Sequence, residues 1–334
     1  MNAYYSDKLE ILKDLFGSDK IRLENDRLIF GRKTYPIIDD VIILLQPTEY
    51  PELLKRKLVL EGKAVQAPGI APERDIQFSF GQEWQKYSDI LPEHEDEFNH
   101  YFDLIDLESL RGQRVCDLGC GNGRWSYFLK NHCRELILID FSDSIFVARS
   151  NLRDCNSCLF FMGDLTRLPF REDFADFLFC LGVLHHLPVD CLQAVRDIGS
   201  HAPLLLIYLY YALDNRPFYF ALLLKMITRL RLTVSKIKNP RFRSGFARVV
   251  GIGVYAPLVR LGNILDHLGA SKYIPLYETY KGKTPQRIRQ DVYDRFFTAI
   301  EQRCSRKEIG MLKDTFRQVD ISNQIPYWHF VCRR

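Results

Sequence analysis

The sequence predicts an α/β protein built on a mostly parallel sheet, and three observations predict it. Across residues 114–211, five short apolar runs alternate with helical stretches. A glycine-rich turn, Gly119-Cys120-Gly121-Asn122-Gly123, joins the first of these runs to the first helix. Acids, Asp140 and Asp164, stand at the ends of the second and third runs. Strands alternating with helices imply a parallel sheet with helices on both faces.

The elements follow in order. Residues 114–118 read as a strand, and a helix runs through Trp125, Phe128 and Leu129. Residues 135–140, 159–162, 174–181 and 203–211 read as further strands, with helices over 144–152 and 189–198 between them. Near the end, Ser305-Arg306-Lys307-Glu308 is a capping box that opens a helix. Residues 318–322 and 327–332 then form two strands joined through Asn323, Gln324 and Pro326. At the start, Leu9, Ile11, Leu12, Leu15 and Phe16 predict a short amphipathic helix. Residues 22–30 and 34–45 read as two strands turning at Gly31. Residues 67–72 form a Pro/Gly linker, and 80–102 an aromatic, acidic helix.

Composition bounds the function. With 334 residues, 47% hydrophobic and 26% charged, the chain is globular, of about two domains, and not largely disordered. A net charge of +4 argues against a dedicated nucleic-acid binder. Nine scattered cysteines predict reduced thiols in a cytosolic protein. Cys155 and Cys158 form one CxxC, but no second pair completes a zinc site, so no metal is expected. The first fifteen residues carry acids and lack a signal-peptide pattern. No uninterrupted run approaches the ~20 apolar residues that span a bilayer. The expectation is a cytoplasmic protein, at most peripheral to a membrane.

The glycine loop calls for a nucleotide-like ligand. Glycines permit tight turns and close approach, and a helix N-terminus offers free N–H groups. The dinucleotide pattern GxGxxG fails, because Arg124 takes its sixth position. The loop reads Asp117-x-Gly119-x-Gly121-x-Gly123 instead. This resembles the first motif of class I S-adenosylmethionine-dependent methyltransferases. Asp140, Gly163-Asp164-Leu165 and the segment from Phe179 to Leu187 stand where that family has its later motifs.

The resemblance implies a seven-stranded, Rossmann-like sheet whose last strand is antiparallel, with S-adenosylmethionine as cofactor. It implies Asp117, Gly119, Cys120, Gly121 and Gly123 around the loop. It further implies Asp140 with Phe141 at the ribose, Asp164 and Leu165 at the adenine, and Leu181 beside the cofactor. It covers residues 112–213 closely and the terminal hairpin loosely. Residues 30–41 resemble the end of a zinc-ribbon module that precedes many bacterial methyltransferases. This chain lacks that module's cysteines, so it would be a zinc-free relic.

Five regions result: a small N-terminal domain (1–65), a linker with an aromatic helix near the cofactor (66–111) and the cofactor-binding core (112–213). A basic helical insertion or substrate cap (214–301) and a terminal helix and hairpin (302–334) complete the chain.

A hydroxyl acceptor needs a general base, for which His186 and His185 are candidates; packing of the loop is the plainer role for both. Trp84, Tyr87, Tyr208, Tyr210, Tyr293 and Arg295 are candidates for the substrate side. Trp125 joins Trp84 and Tyr87 as a cover for the cofactor. Core packing or a solvated helix is the alternative for each.

Residues 215–265 contain ten Lys and Arg and no acid, so the +4 divides into +10 here and −6 elsewhere. The segment is also apolar, which reads as a membrane-surface element or as a helical lid with solvated cations. The leading expectation is a methyltransferase acting on a small or lipid-linked metabolite at oxygen. An RNA methyltransferase using residues 215–265 and a non-catalytic membrane-associated protein remain as alternatives.

Overall fold

The computed structural model describes residues 3–60, 88–237, 239–298 and 300–334. Its strands are β1 (Ile21–Glu24), β2 (Arg27–Phe30), β3 (Lys33–Ile38), β4 (Val41–Ile43), β5 (Arg114–Leu118) and β6 (Glu135–Asp140). β7 (Cys158–Met162), β8 (Phe177–Leu181), β9 (Leu204–Tyr208), β10 (Gln318–Ile321) and β11 (His329–Arg333) follow. They form one sheet in the order β1-β2-β3-β4-β7-β6-β5-β8-β9-β11-β10.

The pairings from β7 to β9 are parallel, whereas β11 runs antiparallel to both β9 and β10. The chain winds outward from β5 through β6 to β7, then crosses back to β8 and β9. That reversal puts a crevice at the carboxyl ends of β5 and β8, where open α/β sheets bind ligands. β5 and β7 are buried at every residue, as strands covered on both faces must be. Alternate residues feed opposite layers: Ile137 and Ile139 of β6 enter one core, Leu136 and Leu138 the other.

The N-terminal region departs from the expectation of two strands. Each expected strand is a hairpin. Asn25-Asp26 (φ 44° and 57°) turns β1 into β2, and Asp39-Asp40 (φ 46° and 62°) turns β3 into β4. Asn and Asp tolerate the left-handed backbone that two-residue hairpin loops require. Gly31 makes the expected turn between β2 and β3. β4 then pairs in parallel with β7, so these strands extend the central sheet. The helix Leu9–Phe16 buries Leu12, Leu15 and Phe16 against it.

Of the acidic segment expected as a helix over 80–102, the described part is helical at Glu93–Tyr101. The linker at 67–72, Trp84 and Tyr87 lie outside the described residues. The terminal capping box is present: Ser305 Oγ accepts from Glu308 N–H, and Glu308 accepts from Ser305 N–H at 2.7 Å. Cys155 and Cys158 are joined as a disulfide, against the expectation of thiols throughout; the other seven cysteines are free. Their short separation lets the turn after the helix Ser144–Asn151 bring the two Cα atoms to 5.7 Å.

Between β9 and the terminal hairpin lie helices Phe218–Val234, Pro240–Val250, Ala256–Asp266, Tyr277–Tyr280 and Pro285–Phe297. They build a core of their own around Val234, Tyr255, Tyr280, Val292, Tyr293 and Phe297. Pro240–Asp266 forms one run of 27 residues, continued through a π-turn at Gly251–Tyr255. By length and composition it reaches membrane-spanning dimensions, with 17% of its most apolar window buried. The sequence expectation missed it because Arg260 and the glycines interrupt the apolar run without lowering its average much.

Candidate functional site

A cavity of about 690 Å³ opens above the carboxyl ends of β5 to β9, roofed by residues 278–295. Volumes of this order hold cofactors and small ligands. Its floor on one side is the loop after β5. Gly119 and Gly121 adopt φ of 80° and 56°, and Gly119 N–H donates to Ile139 O at 2.8 Å, which ties the loop to β6. Gly119, Cys120 and Gly121 all line the cavity.

Asp140 also lines it, and three protein donors hold its carboxylate. Gly121 N–H donates to Oδ2 at 2.9 Å, while the backbone N–H and hydroxyl of Ser142 each donate to Oδ1 at 2.8 Å. A carboxylate has about four acceptor positions, so about one remains for a ligand hydroxyl. Asp164, Phe141, Leu165 and Leu181 line the same side. Asp164 accepts from Thr166 N–H at 2.9 Å and from Arg167 Nε at 2.9 Å. Burial alone would raise its carboxyl, but these bonds outweigh it and hold it below the ordinary range.

Two expected cofactor residues stand outside the cavity. Gly123 (φ 76°) lets the following helix pack closely, since a Cβ there would meet Ala148 and Leu152 at 3.1 Å. Asp117 lies beneath the loop, 2% exposed, accepting from Ser126 Oγ at 2.6 Å. Burial, helped by the charge of Asp140, pushes its carboxyl up to about 8. An unfolded aspartate titrates near ~3.9, so the folded state holds an extra proton between these values and loses stability as pH rises through them. We expect wild type to lose about 2–3 kcal/mol relative to Asp117→Asn between pH 6 and 9 in denaturant titrations. Parallel pH curves for the two proteins would contradict this.

The two histidines separate. His185 is fully buried, stacks on Tyr210 with ring centroids 3.9 Å apart, and lies outside the cavity. Burial, and then the charge of His186, holds its ring well below the ordinary histidine value, so it stays neutral and serves packing. His186 lines the cavity. Its Nδ1 lies 2.7 Å from Ile300 O. A carbonyl can only accept, so Nδ1 carries the proton and Nε2 is the basic nitrogen.

Tyr208, Tyr210, Trp125 and Arg295 reach the cavity. Tyr293 does not: it packs in the core of the cap. It stands two positions from Arg295 on one helix, which turns the two side chains to nearly opposite faces.

Several lining residues escaped sequence reasoning. Glu97 pairs with Lys283 at 2.9 Å and Arg287 at 3.0 Å, clamping the helix Glu93–Tyr101 to the cap. Burial would raise its carboxyl, but Arg287, Arg124 and Lys283 hold it well below the usual range. Thr284 adds a second tie, donating its hydroxyl to Glu93 at 2.7 Å. Arg124, which excluded the dinucleotide pattern, stacks over Trp125 at 4.4 Å. The partners of Glu97 and Glu93 lie nearly two hundred positions away in sequence, so local pattern carried no signal for them. Among the described residues, no group of three or more His, Cys, Asp or Glu forms a metal site.

The sheet order and the loop after β5 are those of the Rossmann-like class I methyltransferase fold. A family described as "Methyltransferase domain" matches residues 115–201. S-adenosylmethionine is the cofactor of this class. The residues fit it: a glycine cradle at 119–121, Asp140 with acceptor capacity left, and Asp164 on the next strand end.

Among solved structures, the chain is similar to a putative methyltransferase from Bacillus halodurans C-125, with 17% identity over 39% of this chain and 58% of that one (TM-score 0.34). It is similar to magnesium protoporphyrin IX methyltransferase from Synechocystis PCC 6803, solved with bound SAM, with 18% identity over 44% and 80% (TM-score 0.36). A Haemonchus contortus phosphoethanolamine N-methyltransferase shows 21% identity over 41% and 33% (TM-score 0.33). The chain thus spans 58% of the length of the Bacillus protein. No curated protein matches it.

Proposed function

We propose that this protein is an S-adenosylmethionine-dependent methyltransferase that methylates an oxygen of a small or lipid-linked metabolite. The observation that supports it most is the single cavity that joins the loop after β5 and Asp140 to His186, Tyr208 and the cap. When bound, the cofactor supplies an electrophilic methyl group and its own leaving group. The chain's residues then have three tasks. Gly119, Gly121, Asp140 and Asp164 hold and orient the cofactor. The cap excludes water. His186 Nε2 takes the proton of an acceptor hydroxyl, with Ile300 O keeping the ring in the required tautomer.

Labelled methyl transfer to fractionated extracts of the source organism tests this reading. We expect transfer to one acceptor class, and a His186→Asn variant at least about 100-fold slower with a flattened pH–rate profile. Transfer to no fraction would sink the activity. Equal rates and profiles for both proteins would sink the role of His186.

The cap supports attachment to an anionic membrane surface, on the cytoplasmic side. Phe218, Leu222, Met226 and Leu230 recur every fourth residue along one helix and are exposed, Phe218 at 84%. Val249, Ile252 and Ile264 are likewise exposed along Pro240–Asp266. Lys225, Arg229, Lys236, Arg241, Arg248 and Arg260 are exposed on the same helices and their connection. Others of the ten cations serve the fold: Arg231 donates to Thr298 O at 2.8 Å, and Arg243 to Ile237 O at 2.7 Å. Apolar stripes flanked by exposed cations, with Asp266 the one acid on these two helices, are the pattern of interfacial helices. The expected result is flotation with phosphatidylglycerol vesicles, weakened by about 0.5 M salt, where the Debye length falls to roughly 4 Å, and lost in Phe218→Asp/Met226→Asp. No flotation at low salt would contradict it.

A further inference from the structure

We propose that Arg295 and Tyr280 form a subsite that binds an oxyanion of the methyl acceptor, a carboxylate or a phosphate. This rests on the methyltransferase reading and extends it to the acceptor's chemistry. Both residues line the cavity. Arg295 Nε and the Tyr280 hydroxyl are buried and have no hydrogen-bond partner in the protein.

The acids around Arg295 are committed elsewhere. Asp291 pairs with Arg287. Asp294 accepts from Tyr210 Oη at 3.1 Å and from Thr298 Oγ1 at 3.1 Å. Glu301 pairs with Arg303 at 2.7 Å. Arg287, on the same helix, is the contrast: Glu97 and Asp291 neutralise it. One helix therefore presents to the same cavity a guanidinium paired with two carboxylates and one with no ion pair of its own. The guanidinium is hydrogen-bonded with the Tyr255 phenol, Tyr280 and Tyr210 lie beside it, and the carboxylate that bears on it is Glu301, which Arg303 already holds.

A guanidinium stays protonated, and a buried cation without an anion is costly. A phenol next to it can donate but cannot neutralise. The ligand that satisfies both donors carries oxygen and negative charge. Its position favours the acceptor over the cofactor. Tyr208 and Tyr210, beside Arg295, lie at the end of β9 and just beyond it, whereas Asp140 ends β6. β9 is three strands from β6, roughly 14 Å at the usual spacing.

The test compares wild type with Arg295→Met, Arg295→Lys and Tyr280→Phe. Calorimetry first measures S-adenosylhomocysteine binding. Methyl phosphate and acetate are then titrated into the loaded proteins, with melting temperature as the readout. We expect S-adenosylhomocysteine affinity to stay within about twofold in all variants. The anion-induced stabilisation should vanish in Arg295→Met, weaken in Tyr280→Phe and partly survive in Arg295→Lys. A response to methyl phosphate alone assigns a phosphate, and a response to acetate alone a carboxylate. Ligand-free Arg295→Met should melt at or above the wild-type temperature, because it removes a buried charge that has no ion pair of its own.

A loss of S-adenosylhomocysteine affinity above about tenfold in Arg295→Met would instead place the cofactor's own carboxylate on the arginine and overturn the proposal. So would a wild type that responds to neither anion, or an Arg295→Met variant that melts below wild type without ligand. Failure of wild type to bind S-adenosylhomocysteine at all would strike the methyltransferase reading, and so is separable from these outcomes.

Discussion

Asp140→Ala lowers S-adenosylhomocysteine affinity about 100-fold in titration calorimetry. The side chain has two roles at once. It orders the site by accepting from Gly121 N–H and from both donors of Ser142. In the proposed complex its remaining acceptor position would take a ribose hydroxyl. Hydrogen bonds to a charged group contribute about 1.5–3 kcal/mol each. Alanine removes those to the ligand and leaves the loop N–H of Gly121 without its acceptor. A net loss of ~3 kcal/mol corresponds to about two powers of ten. Asp140→Asn should be only partly better: its amide places a donor where one carboxylate oxygen accepted. Equal affinities for wild type and Asp140→Ala would remove Asp140 from the cofactor site.

Gly119→Ala destabilises the protein by about 3 kcal/mol in denaturant unfolding and weakens cofactor binding with it. Two separate costs combine. At φ 80° an alanine pays roughly 1–2 kcal/mol for left-handed backbone. Its Cβ would also sit 2.4 Å from Val183 Cγ2 and 3.0 Å from Cγ1. Val183 follows β8 and lines the same cavity, so relief by movement distorts the site. The double variant Gly119→Ala/Val183→Ala separates the costs. It should recover the steric part and keep the backbone part, a coupling measurable in a double-mutant cycle. Purely additive effects would mean that the close approach of the loops after β5 and β8 carries no energy.

The central sheet was legible because each of its strands is an apolar run punctuated by glycine, acid or helix. β5 to β9 lie at the expected places, with β8 beginning at Phe177, three residues later than expected. The N-terminal hairpins were not legible, since Asn25-Asp26 and Asp39-Asp40 are turns without glycine inside otherwise continuous strand patterns. The cavity lining around the loop after β5 was legible through the motif, apart from Asp117 and Gly123, which stand outside it. Both are needed to build the loop, and only burial distinguishes a residue that shapes a loop from one that faces its ligand. Toward the cap, neighbours in sequence part company in space. His185 stacks in the core while His186 faces the cavity, and Tyr293 packs inward while Arg295 faces the cavity. The pairing of Glu97 with Arg287 joins a helix before β5 to the cap after β9, and sequence separation hid it.

The division of the cavity into a cofactor half over β5 to β7 and an acceptor half under the cap is tested most directly by one structure. The protein is crystallised with S-adenosylhomocysteine. The account predicts the ribose hydroxyls on Asp140, the adenine beside Asp164 and Leu165, and the sulfur facing the side that holds His186, Tyr210 and Arg295. A nucleoside bound away from Asp140, or the ligand's carboxylate seated on Arg295, would contradict it.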